Sequence, residues 1–209
     1  MLNDPNIKTE GQLIKLALGE QWKNLSSKTQ ARFEQDPLYT EPKEYDGVMT
    51  EVRCSPLGKL FAYCAKLINA PLIPYCQTNV PIDVKVYKEN GDPSIHKSRV
   101  YYFTGRKPFQ VHSYMALNRK NEFEEYVNSW LGMTMNVYAI NGNLHFETTH
   151  YFIKIAEWRL PIPMIFSPGK AMIKHSDYGD DRFEVRIEMI HPWFGLMFLQ
   201  EGIFKEKTL

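Results

Sequence analysis

From residue 79 onward the apolar side chains of this 209-residue chain fall on every second position, and clusters of Gly, Asn, Asp and Pro interrupt them. A period of two is what a half-buried strand imposes, because successive side chains point to opposite faces, and such clusters reverse the chain between strands. Val80, Ile82, Val84 and Val86 alternate with Pro81, Asp83, Lys85 and Tyr87, and Glu89-Asn90-Gly91-Asp92-Pro93 turns that strand back. A second strand follows from Ile95 to Thr104, and Gly105 to Pro108 turn again. Phe109, Val111, Ser113, Met115 and Leu117 then form the inward set of a third strand, with Gln110, His112, Tyr114 and Ala116 on its other face. Residues 122–131 fit helical and strand spacing equally and stay open.

Asn141-Gly142 is the sequence of a two-residue type I′ hairpin turn, whose positive φ values these residues tolerate. The turn fixes a register: Ala139 faces Leu144, Val137 faces Phe146, Met135 faces Thr148 and Met133 faces His150 on one surface. The other surface pairs Tyr138 with His145, Asn136 with Glu147 and Thr134 with Thr149. Leu160-Pro161-Ile162-Pro163 is expected as an extended crossing, since two prolines lack the donor a central strand needs. Beyond it Ala171, Ile173 and His175 share a face, and Tyr178-Gly179-Asp180 turns the chain into Phe183, Val185, Ile187 and Met189. Charge pairing favours Ile173 opposite Val185 and Lys174 opposite Glu184. Trp193 to Phe204 is a last strand, bent at Gly195 and Gly202.

Ahead of the strands the period is 3.6. Leu13, Leu16 and Ala17, then Trp22, Leu25, Thr29 and Phe33, predict two short helices over residues 9–35, broken at Gly19 and anchored by Trp22 and Phe33, with Ser26 or Ser27 capping the second. Asp36 to Tyr45 reads as a connector and 47–53 as a short strand. Ser55-Pro56 opens a helix, Ser55 as N-cap and Pro56 at the first helical position. Its expected buried face is Leu57, Leu60, Phe61, Cys64, Leu67 and Ile68, and Asn69 with Pro71 stops it.

Composition narrows the class. Apolar content of 44% and a net charge of +1 place the chain among ordinary globular domains and give no field toward nucleic acid or an anionic surface. Cys54, Cys64 and Cys76 form no C-x-x-C pair and predict buried thiols in a reducing compartment. No signal peptide is read at the N-terminus and no run approaches the ~20 apolar residues of a spanning helix, so a cytoplasmic location is expected.

Ser55-Pro56-Leu57-Gly58, the turn near Gly105-Arg106, the Leu-Pro-Ile-Pro crossing, and the closing His191-Pro192-Trp193-Phe194-Gly195 to Gly202-Ile203-Phe204 together resemble the bacterial DUF4166 family, over about residues 18 to 204. Members stand alone or are joined to saccharopine-dehydrogenase-like or membrane modules, and the resemblance implies no catalytic residue. Around Tyr101-Tyr102-Phe103, where relatives favour Trp and Arg, this chain carries aromatics.

The site candidates come from the strands. His145 and Glu147 share a face with Tyr138 opposite, a cluster capable of acid/base chemistry if that face lines a cavity; a solvated outer face is the ordinary alternative. His112 and Tyr114 are candidates for the same wall. His145 and His150, five apart on a regular strand, point to opposite faces and cannot share a metal, and Asp177, Asp180 and Asp181 read as turn chemistry, not a calcium loop. No phosphate-binding or nucleophile-elbow motif occurs.

These readings converge on an α+β fold in a single domain, 1–209: a mainly helical part, 1–75, packed on an antiparallel part, 76–209, curled into a strongly curved sheet or partly open β-barrel, lipocalin-like or START-like in general shape. The expected function is binding of a small apolar or amphipathic ligand in the barrel cavity, with His112, Tyr114, Tyr138, His145 and Glu147 as polar contacts. No cofactor, metal or nucleic-acid partner is expected, and an enzyme is the third reading, which requires the His145, Glu147 and Tyr138 face to point inward around an accessible pocket. The alternative is a non-enzymatic module that docks on a dehydrogenase-like or membrane-associated protein.

Overall fold

In the computed structural model residues 9–34, 42–89 and 92–207 are described. Among these residues eleven antiparallel strands form one sheet that closes on itself. They are β1 Lys43–Cys54, β2 Gln77–Tyr87, β3 Ile95–Tyr101, β4 Phe109–Leu117, β5 Phe123–Tyr126, β6 Leu131–Ile140, β7 Asn143–Ile155, β8 Trp158–Ile162, β9 Lys170–Gly179, β10 Arg182–His191 and β11 Gly195–Glu206. The hydrogen-bonded circuit runs β6-β5-β4-β3-β2-β1-β11-β10-β9-β7 and returns through β6–β7, so ten strands make a closed barrel in place of the partly open one expected. Strand β7 splits one edge: Leu144 to Glu147 pair with β9, and Tyr151 to Ile155 pair with β8.

The Leu-Pro-Ile-Pro crossing is therefore in part a strand, with Pro161 opposite Phe152. Proline is tolerated there because β8 has a partner along one edge only. The ambiguous 122–131 stretch resolves into β5 and a turn. All four residues of β5 are buried, which erased the alternation that would have marked it as a strand.

The hairpin at Asn141 (φ +52°) and Gly142 (φ +80°) has the predicted register as far as Met135–Thr148. A bulge then leaves Thr149 unpaired, so Thr134 faces His150 and Met133 faces Tyr151, which corrects the two outermost pairs. It also brings His150 onto the outer face that His145 occupies. Between β9 and β10 the expected register is wrong: Ile173 faces Ile187, Lys174 faces Arg186 and His175 faces Val185. The two-residue turn is Asp180 (φ +51°) and Asp181 (φ +57°), and Tyr178 bulges out beside it. Charge across the hairpin did not decide the register, because Arg186 pairs with Glu188 on its own strand and Glu201 on β11.

Among the described residues three α-helices accompany the barrel. Helix α1, Glu10–Leu18, is capped by Thr9 and ends at Gly19, and α2, Ser27–Glu34, has Ser26 accepting from the Thr29 amide (3.1 Å). Leu13, Ile14, Leu18, Trp22, Leu25 and Phe33 are buried in one cluster with Met115, Phe123, Leu144 and Phe146, so this helical preface seals one end of the barrel. Burial of such side chains stabilises by about 1.5–3 kcal/mol each, which is what holds helices this short. The strand expected at 47–53 begins at Lys43; position 35 of the expected helical stretch, 36–41 of the connector, and Asn90-Gly91 of the turn expected at 89–93 lie outside the described residues.

Helix α3, Pro56–Leu67, bridges β1 and β2, with Ser55 accepting from the Gly58 amide (3.0 Å). It buries Gly58, Ala62 and Ala65, the face opposite to the one expected, and leaves Leu60 59% and Leu67 85% exposed. The reason is close approach: a Cβ on Gly58 would stand 2.5 Å from the Met197 carbonyl, so only the small-residue stripe fits against β11. Cys54 is buried, but Cys64 and Cys76 are exposed, contrary to the buried thiols expected. Among the described residues no helix is long and apolar enough to cross a membrane.

Candidate functional site

A pocket of about 90 Å³ lies on the inner face of the barrel. Alternation places Tyr45 and Met49 of β1, Ile82 and Val84 of β2, Val185 and Ile187 of β10 and Phe204 of β11 on its wall, an apolar surface continuous across four neighbouring strands. The other side of the cavity carries charge. Lys97 and Arg99 lie in phase with Ile95 and Tyr101 on β3, and Glu125 lies in phase with Phe123 on β5, so the same alternation that buries the apolar residues turns these inward. Glu10 of α1, Arg32 of α2 and His175 of β9 complete the polar wall.

Most of these groups have partners. Lys97 donates to Glu10 across 2.7 Å, and Arg99 donates to Ser113 (3.0 Å) and faces Glu125 at 3.5 Å. The guanidinium of Arg32 is enclosed between the Phe33 and Phe183 rings, 4.7 and 3.9 Å from their centroids, and stands 3.4 Å from His175 Nδ1. Burial lowers the Arg32 pKa from its ordinary value, while Tyr45, Glu10, Asp177 and Glu206 oppose this through space. His175 is surrounded by Phe33, Phe146 and Phe183. Burial, reinforced by Arg32, Lys97 and Arg99, holds its pKa well below the usual histidine value, so the ring is neutral and its Nδ1 accepts. Deeper in the barrel, Tyr101 donates to Gln200 (2.8 Å), and burial pushes its hydroxyl up to about 12.

Arg32 and Phe183 also line a cleft of about 510 Å³ on the outside, with Lys28, Asp177, Lys205 and Glu206. These two side chains are the partition between the cleft and the interior.

The residues expected to contact a ligand lie on the outer face of the barrel. Tyr138 and His145 stack at 5.1 Å, and Glu147 accepts from the Tyr138 hydroxyl (3.1 Å) and pairs with Lys170. The Lys170 contact comes first among the causes that keep Glu147 below the usual carboxylate value; burial leads in lowering His145 and raising Tyr138. This trio is assembled as expected, but Val137, Leu144 and Phe146 hold the inward face, so the orientation a cavity role requires is not met. Tyr114, also outward, joins a ring ladder from Tyr87 through His96 and Tyr114 to Tyr126 and Phe152, and His112 is exposed one turn of the pleat away.

The inward polar groups were missed, apart from His175, whose phase with Ala171 and Ile173 is readable. Phase was the available signal for Lys97, Arg99 and Glu125 as well, since each sits two positions from an aromatic or aliphatic that must face the core. Among the described residues one group of side chains is close enough to hold a cation: Glu89, Asp92 and His96, ligand atoms within 4.8 Å of one another. The Asp92 oxygens already accept from the Ser94 amide (2.8 Å) and from His96 (3.0 Å), the pattern of a turn cap.

No curated protein matches the chain in sequence. Among solved structures it is similar to the crystal structure of the erythromycin dehydratase, at 8% identity over 78% of this chain and 90% of that one. The TM-score is 0.21, too low for the likeness to inform fold or chemistry. The profile of DUF4166, a domain of unknown function, matches residues 25–204, most of the barrel together with α2 and α3, and the chain belongs to that family.

Proposed function

We propose that this protein binds a small amphipathic molecule inside the barrel. The observation that supports it is the divided wall of the cavity: one side is apolar, and the other carries Arg32, Lys97, Arg99, Glu10, Glu125 and His175. Charged side chains are almost never fully buried unless paired, because each costs several kcal/mol of desolvation, and a ligand can supply what the pairs leave over. An eight-stranded barrel is about wide enough to be filled by its own side chains, and ten strands leave room beyond that. In general shape this is a lipocalin-like or START-like container, with the ligand's apolar part against β1, β2, β10 and β11.

A cavity of about 90 Å³ suits a short molecule, or one whose polar end passes Arg32 into the outer cleft. The polar contacts are the inward groups, and the outer Tyr138, His145 and Glu147 trio takes no part. Native mass spectrometry after gentle purification, paired with displacement of an environment-sensitive dye, tests the reading. A co-purifying small mass or saturable displacement supports it; neither a retained ligand nor displaceable dye would sink it.

A further inference from the structure

The charges that face the cavity do not balance. Three cations, Arg32, Lys97 and Arg99, meet two carboxylates, Glu10 and Glu125, and His175 is neutral. The pairs account for Lys97 with Glu10 and Arg99 with Glu125. Arg32 is left over. Among the described residues no carboxylate stands within ion-pairing distance of it; its guanidinium contacts are two phenylalanine faces and a histidine nitrogen. Ring faces and an imidazole lone pair compensate a guanidinium only in part, Glu10, Asp177 and Glu206 act on it through space without touching it, and a half-buried cation in contact with no anion is an arrangement that a bound anion relieves.

Resting on the ligand-binding reading, we infer that the molecule taken up by the barrel is a monocarboxylate, whose carboxylate pairs with Arg32 and whose short chain lies against Met49, Ile82 and Val185. A single surplus positive charge matches a single negative one. The planar guanidinium fork, fixed by Phe33 and Phe183, suits the two oxygens of a carboxylate. Arg32 stands at the partition with the outer cleft, so an anion arriving from solvent meets it first while the chain passes inward.

The experiment titrates the intact protein with butyrate and hexanoate, with butan-1-ol and hexan-1-ol as neutral matches, and with methyl phosphate as a second anion. The readout is the methyl resonances of Met49 and Met115, both on the cavity wall. The carboxylates are expected to bind at least tenfold more tightly than the alcohols, and Arg32→Met to abolish that preference while alcohol binding persists. Arg32→Lys, which keeps the charge without the fork, retains part of it and guards against a folding defect in the first variant. Alcohols binding as well as carboxylates, a preference that survives Arg32→Met, or methyl phosphate outcompeting the carboxylates each overturns the inference and leaves the ligand-binding reading standing. No response to any probe overturns both.

Discussion

Replacing His175 by phenylalanine keeps an aromatic ring among Phe33, Phe146 and Phe183 and removes a titrating group from the barrel interior. The cations that face it are Arg32 from α2 and Lys97 and Arg99 from β3, with His145 beside it on β7, and burial comes before all of them in depressing its pKa. In the unfolded chain the imidazole accepts a proton near pH ~6.5, whereas the folded ring stays neutral to much lower pH. Below that point the unfolded state binds more protons, so stability is present in full above pH ~6.5 and falls as the solution is acidified, by about 1.4 kcal/mol per pH unit for one proton. Between pH ~6.5 and ~5.0 this amounts to at most about 2 kcal/mol. His145, whose pKa is also lowered, acts in the same direction, so the quantity to measure is the difference between proteins and not the slope of either. Urea unfolding of wild type and His175→Phe at pH 7.5, 6.0 and 5.0 supplies it. The wild type should lose more stability than the variant over that range, by up to about 2 kcal/mol, and parallel pH profiles would refute the claim that this ring is buried neutral.

Gly169→Ala forces a side chain into backbone at φ +100°, with its Cβ 2.4 Å from the His191 nitrogen and the Ile190 carbonyl carbon; a stability loss of about 2–4 kcal/mol is expected in denaturant melts. Glu124, buried on β5, accepts from Arg159 Nε (2.9 Å) and from the Tyr126 hydroxyl (2.5 Å). Glu124→Leu alone should cost about 3 kcal/mol by stranding Arg159, and Glu124→Leu with Arg159→Met less than the two singles added, which a double-mutant cycle reads directly. Phe183→Ala thins the partition between cleft and interior, so stopped-flow uptake of the dye should accelerate; an unchanged rate would place the entrance elsewhere. Tyr138→Phe and Glu147→Gln should leave dye affinity unchanged, and a loss in either would return the site to the outer face.

What the sequence made legible was local. The Asn141-Gly142 turn sets its own backbone geometry, so five pairs of the β6–β7 hairpin followed from two residues. The bulge at Thr149 has no comparable signature, and it shifted every pair beyond it. Helix α3 was legible through Ser55 and Pro56, but its orientation was not. Hydrophobicity favours burying leucines, whereas the space beside Met197 admits only glycine and alanine. The candidate site failed for a related reason. Charged residues were assigned outward by default, and the interior of this barrel is where Lys97, Arg99 and Glu125 point. Barrel closure was equally hidden, because the β7–β9 seam consists of four residue pairs and the β1–β11 ladder joins opposite ends of the chain.

That last ladder bears on the order of events during synthesis. Every other ladder of the circuit joins strands nearby in sequence, whereas β1 and β11 meet only through pairs such as Val48 with Ile203. Until residues 195–206 leave the ribosome, β1 and β10 each present a bare edge, and residues 55–181 lie between them. The nascent protein thus passes through an interval in which two long strand edges are open to other chains, and its yield in cells should depend on how fast that final strand arrives.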